Sequence, residues 1–359
     1  MSKKEIINTK KLKKGWTTGA CVTACASACV YGIVKQKKVD TITIDLPAGT
    51  NEFKISNFEF DENQAISTTI KDAGDDPDIT HNCEITVKVK RNKENSIKFL
   101  AGKGVGTVTK KGLPLDVGEP AINPKPRQMI EKNIVAISGH NNWIVEVSIK
   151  NGEDLAKQTW NPRLGIIGGL SVLGTSGVVI PYSCSAWIHS IYRGIDVAMA
   201  MNINHMVGST GKTSENQAMQ VLGLKNESYI DMGDFVGGML KYASNNNVKE
   251  ITISGGFAKM VKLAQGNRDL HSSRSQVDFL KLSEFVGQIG GNDNEIKFVK
   301  TANTALEVLT TIRPSLNIEQ HIAIDAQNQA KKIGKKIKKI NVLIVNRNGD
   351  VISHIKDKI

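Results

Sequence analysis

Four aspartates and a histidine crowd into ten residues: Asp72, Asp75, Asp76, Asp78 and His81. Carboxylates that close repel each other's charge, which raises the pKa of at least one and makes it a proton carrier. Asp75, Asp76 and His81 are therefore candidates for acid–base chemistry. A solvated turn would use the same residues, and both readings stay open. A calcium loop needs the spacing D-x-D-x-D-G, which DAGDDPDITH does not meet. No protein-bound metal is expected.

A second constellation is spread over three apolar runs. One ends in Gly208-Ser209-Thr210-Gly211, one in Asp231 before Gly233-Asp234, and one in Gly255-Gly256. Each run reads as a strand and each is followed by a helical pattern. Glycine lets backbone approach a ligand, the next helix offers free N–H groups, and an acid at a strand end can take ribose hydroxyls. These ends could hold a nucleoside-bearing cofactor, or they could simply be tight turns. A triphosphate loop is a poor match, because Met206 stands where its first glycine is required.

Cys21, Cys25 and Cys29 recur every fourth residue, on one helical face. An iron–sulfur triplet spaced C-x3-C-x2-C would need the third thiol one residue earlier, and on a loop. This stretch, ACVTACASACVYGIV, reads as a helix of small residues, so the thiols are expected to pack as small hydrophobes. Five cysteines, an odd number, without a secretory segment indicate reduced thiols.

The elements that must position these groups fall into two patterns. Up to about residue 155, alternating runs such as TITIDL, EITVKVKR and NWIVEVSIK predict strands, with helices near 20–35 and 126–133: an α+β pattern. From residue 156 a Gly-rich stretch leads into alternating helices and short apolar strands, the signature of a mainly parallel, helix-covered sheet. Helical patterns over 270–290, 301–311 and 319–334 follow, and a hairpin closes around Asn346-Arg-Asn-Gly-Asp. The expected domains are thus 1–155 and 156–359.

At 359 residues, 40% hydrophobic and 23% charged, the chain is an ordinary globular one. Collagen-like, coiled-coil and disordered classes are excluded. The uncharged stretch ending at Trp187 contains Pro181 and many small residues and is not read as a membrane span. No membrane partner is expected, and the cytoplasm is the default location. The net charge of +12 favours an anionic partner. Only eight of the 47 basic residues are Arg, and aromatics are 5%, which argues against nucleic acid. A basic RNA-binding protein or RNA methyltransferase is the competing class, and a steep salt dependence of RNA binding would favour it. Assembly into a homo-oligomer stays open.

Several segments are too irregular for packing alone: KGWTTGAC from Lys14, KDAGDDPDITH from Lys71, AGKGVGTV from Ala101, GEPAINP from Gly118, NPRLGIIGG from Asn161, GTSG from Gly174 and LHSSRSQVD from Leu270. In order and content they resemble the cobalt-precorrin-5B (C-1)-methyltransferase family, CbiD. The resemblance runs roughly from Lys14 to Val286. It implies methyl transfer from S-adenosyl-L-methionine to carbon 1 of a cobalt-bound tetrapyrrole, giving cobalt-precorrin-6A in anaerobic cobalamin biosynthesis. It also implies an α+β N-terminal domain carrying substrate loops, followed by an α/β Rossmann-like domain. The cofactor contacts would then fall on Gly208, Ser209, Thr210, Gly211, Asp231, Gly255 and Gly256.

Such a substrate is a polycarboxylate. Arg127, Arg163 and Arg274, in or beside family-like segments, could fork onto its carboxylates, and His271 could join them. Thr17, Thr18 and Gly19 could offer donors at a helix N-terminus. The bland alternatives are loop bracing by the arginines and plain N-capping by the threonines.

Overall fold

The computed structural model describes residues 12–357, and the chain divides into two compact units after Cys184. Most of the Lys-rich arm, residues 3–11, lies outside the described residues. Unit 1 runs β1 (Gly15–Trp16), α1 (Thr18–Lys35), β2 (Thr41–Leu46), β3 (Gly49–Lys54), β4 (Asn57–Phe60), β5 (Gln64–Ile70) and β6 (Glu84–Arg91). It continues with β7 (Ile97–Ala101), β8 (Gly104–Val105), β9 (Thr107–Val108), α2 (Pro124–Ser138) and β10 (Trp143–Ile149). The short elements α3 (Gly152–Ala156), α4 (Asn161–Leu164), β11 (Ile166–Ile167), β12 (Gly169–Leu170) and β13 (Val178–Val179) complete it.

Helix α1 is the centre of unit 1. Thr17 caps it, its Oγ1 accepting from the Ala20 N–H at 3.2 Å. By length and composition α1 could cross a membrane, yet most of it is buried against protein. Burial on nearly every face requires small side chains, and the sequence supplies Ala, Gly, Ser, Thr and Cys. At Gly32 a Cβ would stand 2.5 Å from Phe58 Cζ. The five-stranded sheet β4-β5-β6-β10-β7 is antiparallel except between β10 and β7. Its inward positions, Ile85, Val87 and Val89 on β6 and Val145 and Val147 on β10, share one core with α1. Period-two alternation on the strands and small residues on the helix are thus two halves of one packing solution.

The domain boundary expected at 155/156 is wrong; it lies after Cys184. Residues 156–184 thread back into unit 1: β11 pairs with β9, β12 with β8, and β13 with β1. These are two-residue strands in a Gly-rich segment, too short to show any period. Gly169 passes so close to Gly104 that a Cβ would fall 2.3 Å from the Gly104 carbonyl carbon.

From α5 (Cys184–Ala200) the chain builds unit 2: β14 (His205–Ser209), α6 (Lys212–Leu222), β15 (Tyr229–Asp231), α7 (Val236–Asn245), β16 (Glu250–Gly256) and α8 (Phe257–Ala264). Then come α9 (Phe279–Gln288), α10 (Asp293–Thr301), α11 (Ala305–Thr311), α12 (Ile318–Ile333), β17 (Lys339–Val345) and β18 (Val351–Ile355). The sheet order is β15-β14-β16-β17-β18, parallel except for the last hairpin. In chain order of the strands this is 2-1-3-4-5, a doubly wound order distinct from the dinucleotide-binding 3-2-1-4-5-6. Val207 and Leu343 pack with Ala218 of α6 on one face, while Met206, Ile251, Ile253 and Val342 pack with α7, α8 and α12 on the other. The helix expected over 270–290 begins only at Phe279, after the Asp278 cap. Helix α10 was not expected at all.

The three α1 thiols are inert by position. Cys25 Sγ lies 3.6 Å from the Ile85 carbonyl, and Cys29 Sγ 3.4 Å from both the Val87 carbonyl and Ser67 Oγ. Burial pushes Cys21 and Cys29 up to about 12. In native protein, a disulfide reagent should therefore modify exposed Cys184 first and Cys83 more slowly, with Cys21, Cys25 and Cys29 released only in denaturant. Cys25→Ala should cost about 1 kcal/mol in urea unfolding, the scale of a small core truncation. Fast reaction of all five thiols in folded protein would refute this packing.

Candidate functional site

The acidic loop of unit 1 does not gather its carboxylates. Each finds its own partner. Asp72 Oδ2 accepts from Lys13 Nζ at 2.6 Å and its Oδ1 from the Gly74 N–H. The Lys13 hydrogen bond, together with the Gly74 amide, holds the Asp72 carboxyl below the usual carboxylate range. Asp75 accepts from the Lys13 backbone N–H at 2.6 Å, and Asp76 from the Tyr182 N–H at 2.8 Å. His81 Nδ1 accepts from the Ala73 N–H at 3.0 Å. The expected rise in carboxylate pKa from like-charge crowding is thus reversed at Asp72 and Asp78. Asp75, Asp76 and His81 serve as struts that tie the loop to residue 13, residue 182 and residue 73.

The residue that organises the loop is one the sequence reading passed over. Lys71 is fully buried, and its Nζ donates to Asp78 Oδ2 at 2.6 Å. Burial by itself would raise the Asp78 carboxyl; the Lys71 ammonium and the Thr80 hydroxyl and N–H overcome it, and the net shift is downward. Lys71 stood beside the acids in the sequence, but nothing local marks a lysine for burial.

The proposed substrate contacts of unit 1 are also engaged internally. Thr17 and Thr18 are buried; the Thr17 N–H donates to the Gly177 carbonyl and the Gly19 N–H to the Leu173 carbonyl. The α1 N-terminus is filled by the 173–177 loop, so it offers no open cradle. Arg127 donates to the Ile122 and Pro120 carbonyls, pairs with Glu119 at 2.6 Å and lies over Phe99. It braces the 118–123 loop. Arg163 lies over the Trp160 ring.

In unit 2 the carboxyl ends of the strands form an open edge. The chain leaves β14 for β15 on one side and leaves β16 for β17 on the other, so the two exits diverge between neighbouring strands. That is the switch point at which doubly wound sheets bind ligands. A cavity of about 380 Å³ opens here, in the size range of small-molecule sites. Thr210, Gly211, Lys212, Gly256, Lys259 and Arg347 are among its walls.

The glycines proposed for this edge separate into two kinds. A Cβ at Gly208 would stand 2.4 Å from Met239 Sδ, and one at Gly255 2.7 Å from Met260 Cε. At those two, core packing alone is reason enough for glycine. At Gly211 and Gly256 a Cβ would meet nothing within 4 Å. Ser209 is buried beneath the edge, its backbone carbonyl accepting from the Met232 and Gly233 N–H groups. Asp231 closes β15 one strand away, in register with Ser209.

Three cations were missed: Lys212 and Arg347, both exposed, and Lys259, which donates to the Thr210 carbonyl at 2.8 Å and pairs with Asp234 at 3.0 Å. Lys212 directly follows the Gly208–Gly211 segment and Arg347 lies within the hairpin turn around residue 346, but neither position marks a cation for this edge by itself. His271 and Arg274 lie on the loop that returns to this rim, since the Leu270 N–H donates to the Asp234 carbonyl. Arg274 forks onto Asp269 and lies over Phe235; His271 Nδ1 is 2.7 Å from Ser273 Oγ. Both already hold internal partners.

A protein-family model described as CbiD matches residues 5–181, nearly the whole of unit 1. The cobalt-precorrin-5B C(1)-methyltransferase of Paramagnetospirillum magneticum is 48% identical over 348 residues, 95% of this chain and 97% of that one. The enzyme of the same name from Rhodospirillum rubrum is 47% identical over 96% of this chain and 97% of its own length. A solved cobalamin biosynthesis protein from Archaeoglobus fulgidus is 25% identical, covers 73% of this chain and 83% of its own, and has a TM-score of 0.40.

Asp78→Asn should leave the Lys71 ammonium buried without its counter-charge and cost about 3 kcal/mol, the lower end for breaking a buried pair, since Asp78 is partly exposed. Because the Asp78 carboxyl sits below its ordinary value when folded, its contribution is complete above the unfolded pKa of about 4 and is lost as pH falls through the lower folded value. Melting curves from pH 7 to pH 2 should show this acid limb in wild type and a smaller one in Asp78→Asn. Asp75→Asn and Asp76→Asn should lower the melting temperature slightly and leave methyl transfer per folded molecule intact; a hundredfold loss in either would return that acid to the chemistry.

Proposed function

We infer that this chain, which belongs to the CbiD family, is a methyltransferase of cobalamin biosynthesis that methylates carbon 1 of cobalt-precorrin-5B with S-adenosyl-L-methionine as donor. The observation that carries the reading is 48% identity across 95% of the chain to an enzyme of that name. The RNA-binding alternative gains no support from these relatives. The reading brings with it a cytoplasmic setting and a cobalt tetrapyrrole that arrives with its metal already chelated.

We place the methyl donor at the switch point of unit 2, read as Rossmann-like in the broad sense of a doubly wound nucleoside-binding sheet. The fit is supported by the open space beside Gly211 and Gly256, which any side chain would fill. When bound, S-adenosylmethionine supplies a methyl group on a sulfonium, an electrophile that an electron-rich ring carbon can attack directly. The protein therefore needs no nucleophile of its own, and its contribution is to hold two partners in line. Gly211 and Gly256 admit the ligand to the strand tips. Lys212 and Arg347, with the N-terminal amides of α6, favour a carboxylate at the same end. Asp231 at the tip of β15 takes ribose hydroxyls in this reading. The +12 net charge draws in a polyanionic macrocycle.

Gly211→Val and Gly256→Val test the placement. Gly211 has extended backbone and Gly256 a φ of −73°, so either position accepts a side chain without strain. Both glycines are helix N-caps, where Val is a poorer residue than Gly, so both variants should fold and melt no more than a few degrees below wild type. Calorimetry should show S-adenosylmethionine affinity at least about tenfold weaker. Wild-type affinity in both folded variants would move the donor site elsewhere.

A further inference from the structure

Trp187, on the first turn of α5, is 46% exposed, whereas Trp143 is fully buried and Trp16 and Trp160 are half-buried. The inner face of α5 carries Ile191, Ile195 and Ala198 into the core. An indole left outside such a core forgoes a large apolar burial. Yet this one is not loose. Its Nε1–H donates to the Asp231 backbone carbonyl at 3.1 Å. The same edge lies against Gly233, where a Cβ would stand 3.2 Å from Cζ2; Gly233 has a φ of +55°, a turn that favours glycine. The ring is therefore anchored along one edge to the 231–233 turn, and much of it remains open to solvent.

The geometry points to Trp187 as the platform on which the adenine of S-adenosylmethionine stacks. The inference rests on the donor site proposed above and extends it to a residue outside the glycine loops. Asp231 lies one strand from Ser209 and two strands from Ser254, about 5 and 10 Å along the sheet edge. A ligand whose carboxylate end reaches Gly211 and Lys212 and whose ribose reaches Asp231 places its base beyond β15. The indole anchored to Asp231's own carbonyl stands at that end. A pre-positioned aromatic surface loses little freedom when a base stacks on it, and every base offers a π face to stack.

The test uses full-length protein and S-adenosylhomocysteine, whose sulfur is uncharged, so that a contact to the sulfonium does not enter. Trp187→Leu keeps apolar bulk and loses the π surface; Trp187→Phe keeps a smaller one. Being on an exposed helix turn, both should fold, as circular dichroism will report. S-adenosylhomocysteine should quench wild-type tryptophan fluorescence, and calorimetry should find binding at least tenfold weaker in Trp187→Leu and within about threefold of wild type in Trp187→Phe. Equal affinity of Trp187→Leu and wild type, with Gly211→Val still impaired, overturns the adenine platform and leaves the donor site standing. Wild-type affinity in Trp187→Leu and Gly211→Val alike overturns both. Weakening in Trp187→Leu alone, with wild-type affinity in Gly211→Val, overturns the orientation that runs from Gly211 to the indole and with it the platform as drawn. Equal weakening of the Leu and Phe variants refutes stacking, since Phe retains an aromatic surface.

Discussion

A helix buried on almost every face is the constraint from which unit 1 follows. Helix α1 must carry small, uncharged side chains, because a sheet, α2 and the 173–177 loop all press on it. That rule explains three cysteines with no chemistry, a glycine that makes room for Phe58, and a threonine cap turned inward. It also explains why the segment after Gly165 belongs to unit 1. The loop that seals the α1 N-terminus comes from there, and so do the strand partners of β1, β8 and β9.

Polar groups near this core follow the same economy. A buried lysine is tolerable only with its carboxylate beside it, and Asp78 is held in place by Thr80 as well as by Lys71. The neighbouring acids then fasten the loop to more distant backbone. Unit 2 works the other way. Its sheet buries glycines at Gly208 and Gly255 for packing but leaves Gly211 and Gly256 facing space, and basic side chains rim that space. Open volume at the point where chain exits diverge is what sets this edge apart from a merely tight turn.

The legible part of the sequence was the part governed by short periods. EITVKVKR read as a strand from alternation alone, and the strand–helix alternation after residue 200 gave the parallel sheet. Helix α10 had a readable signal that went unused: Asn292 and Glu295 form a capping box. Leu270 and Val277 mimicked helical spacing, but Asp269 draws the chain into a turn by accepting from the His271 N–H. Contacts between distant residues left no local trace. Asp76 meets the amide of residue 182, and Lys13 meets Asp72. Which glycine fills a core and which faces a cavity is decided by side chains on other elements, Met239 of α7 for Gly208 and Met260 of α8 for Gly255.

The pairing of β1 with β13 sets a timetable for synthesis. Gly15 and Trp16 leave the ribosome early, but Val178 and Val179 follow more than 160 residues later. At roughly 5–20 residues per second, the first strand waits about 10–30 s for its partner. Throughout that interval the apolar face of α1 lacks its seal at the N-terminal end. A nascent chain of this kind is exposed to aggregation until residue 184 emerges, and holdase chaperones acting on it should engage the first half of the protein.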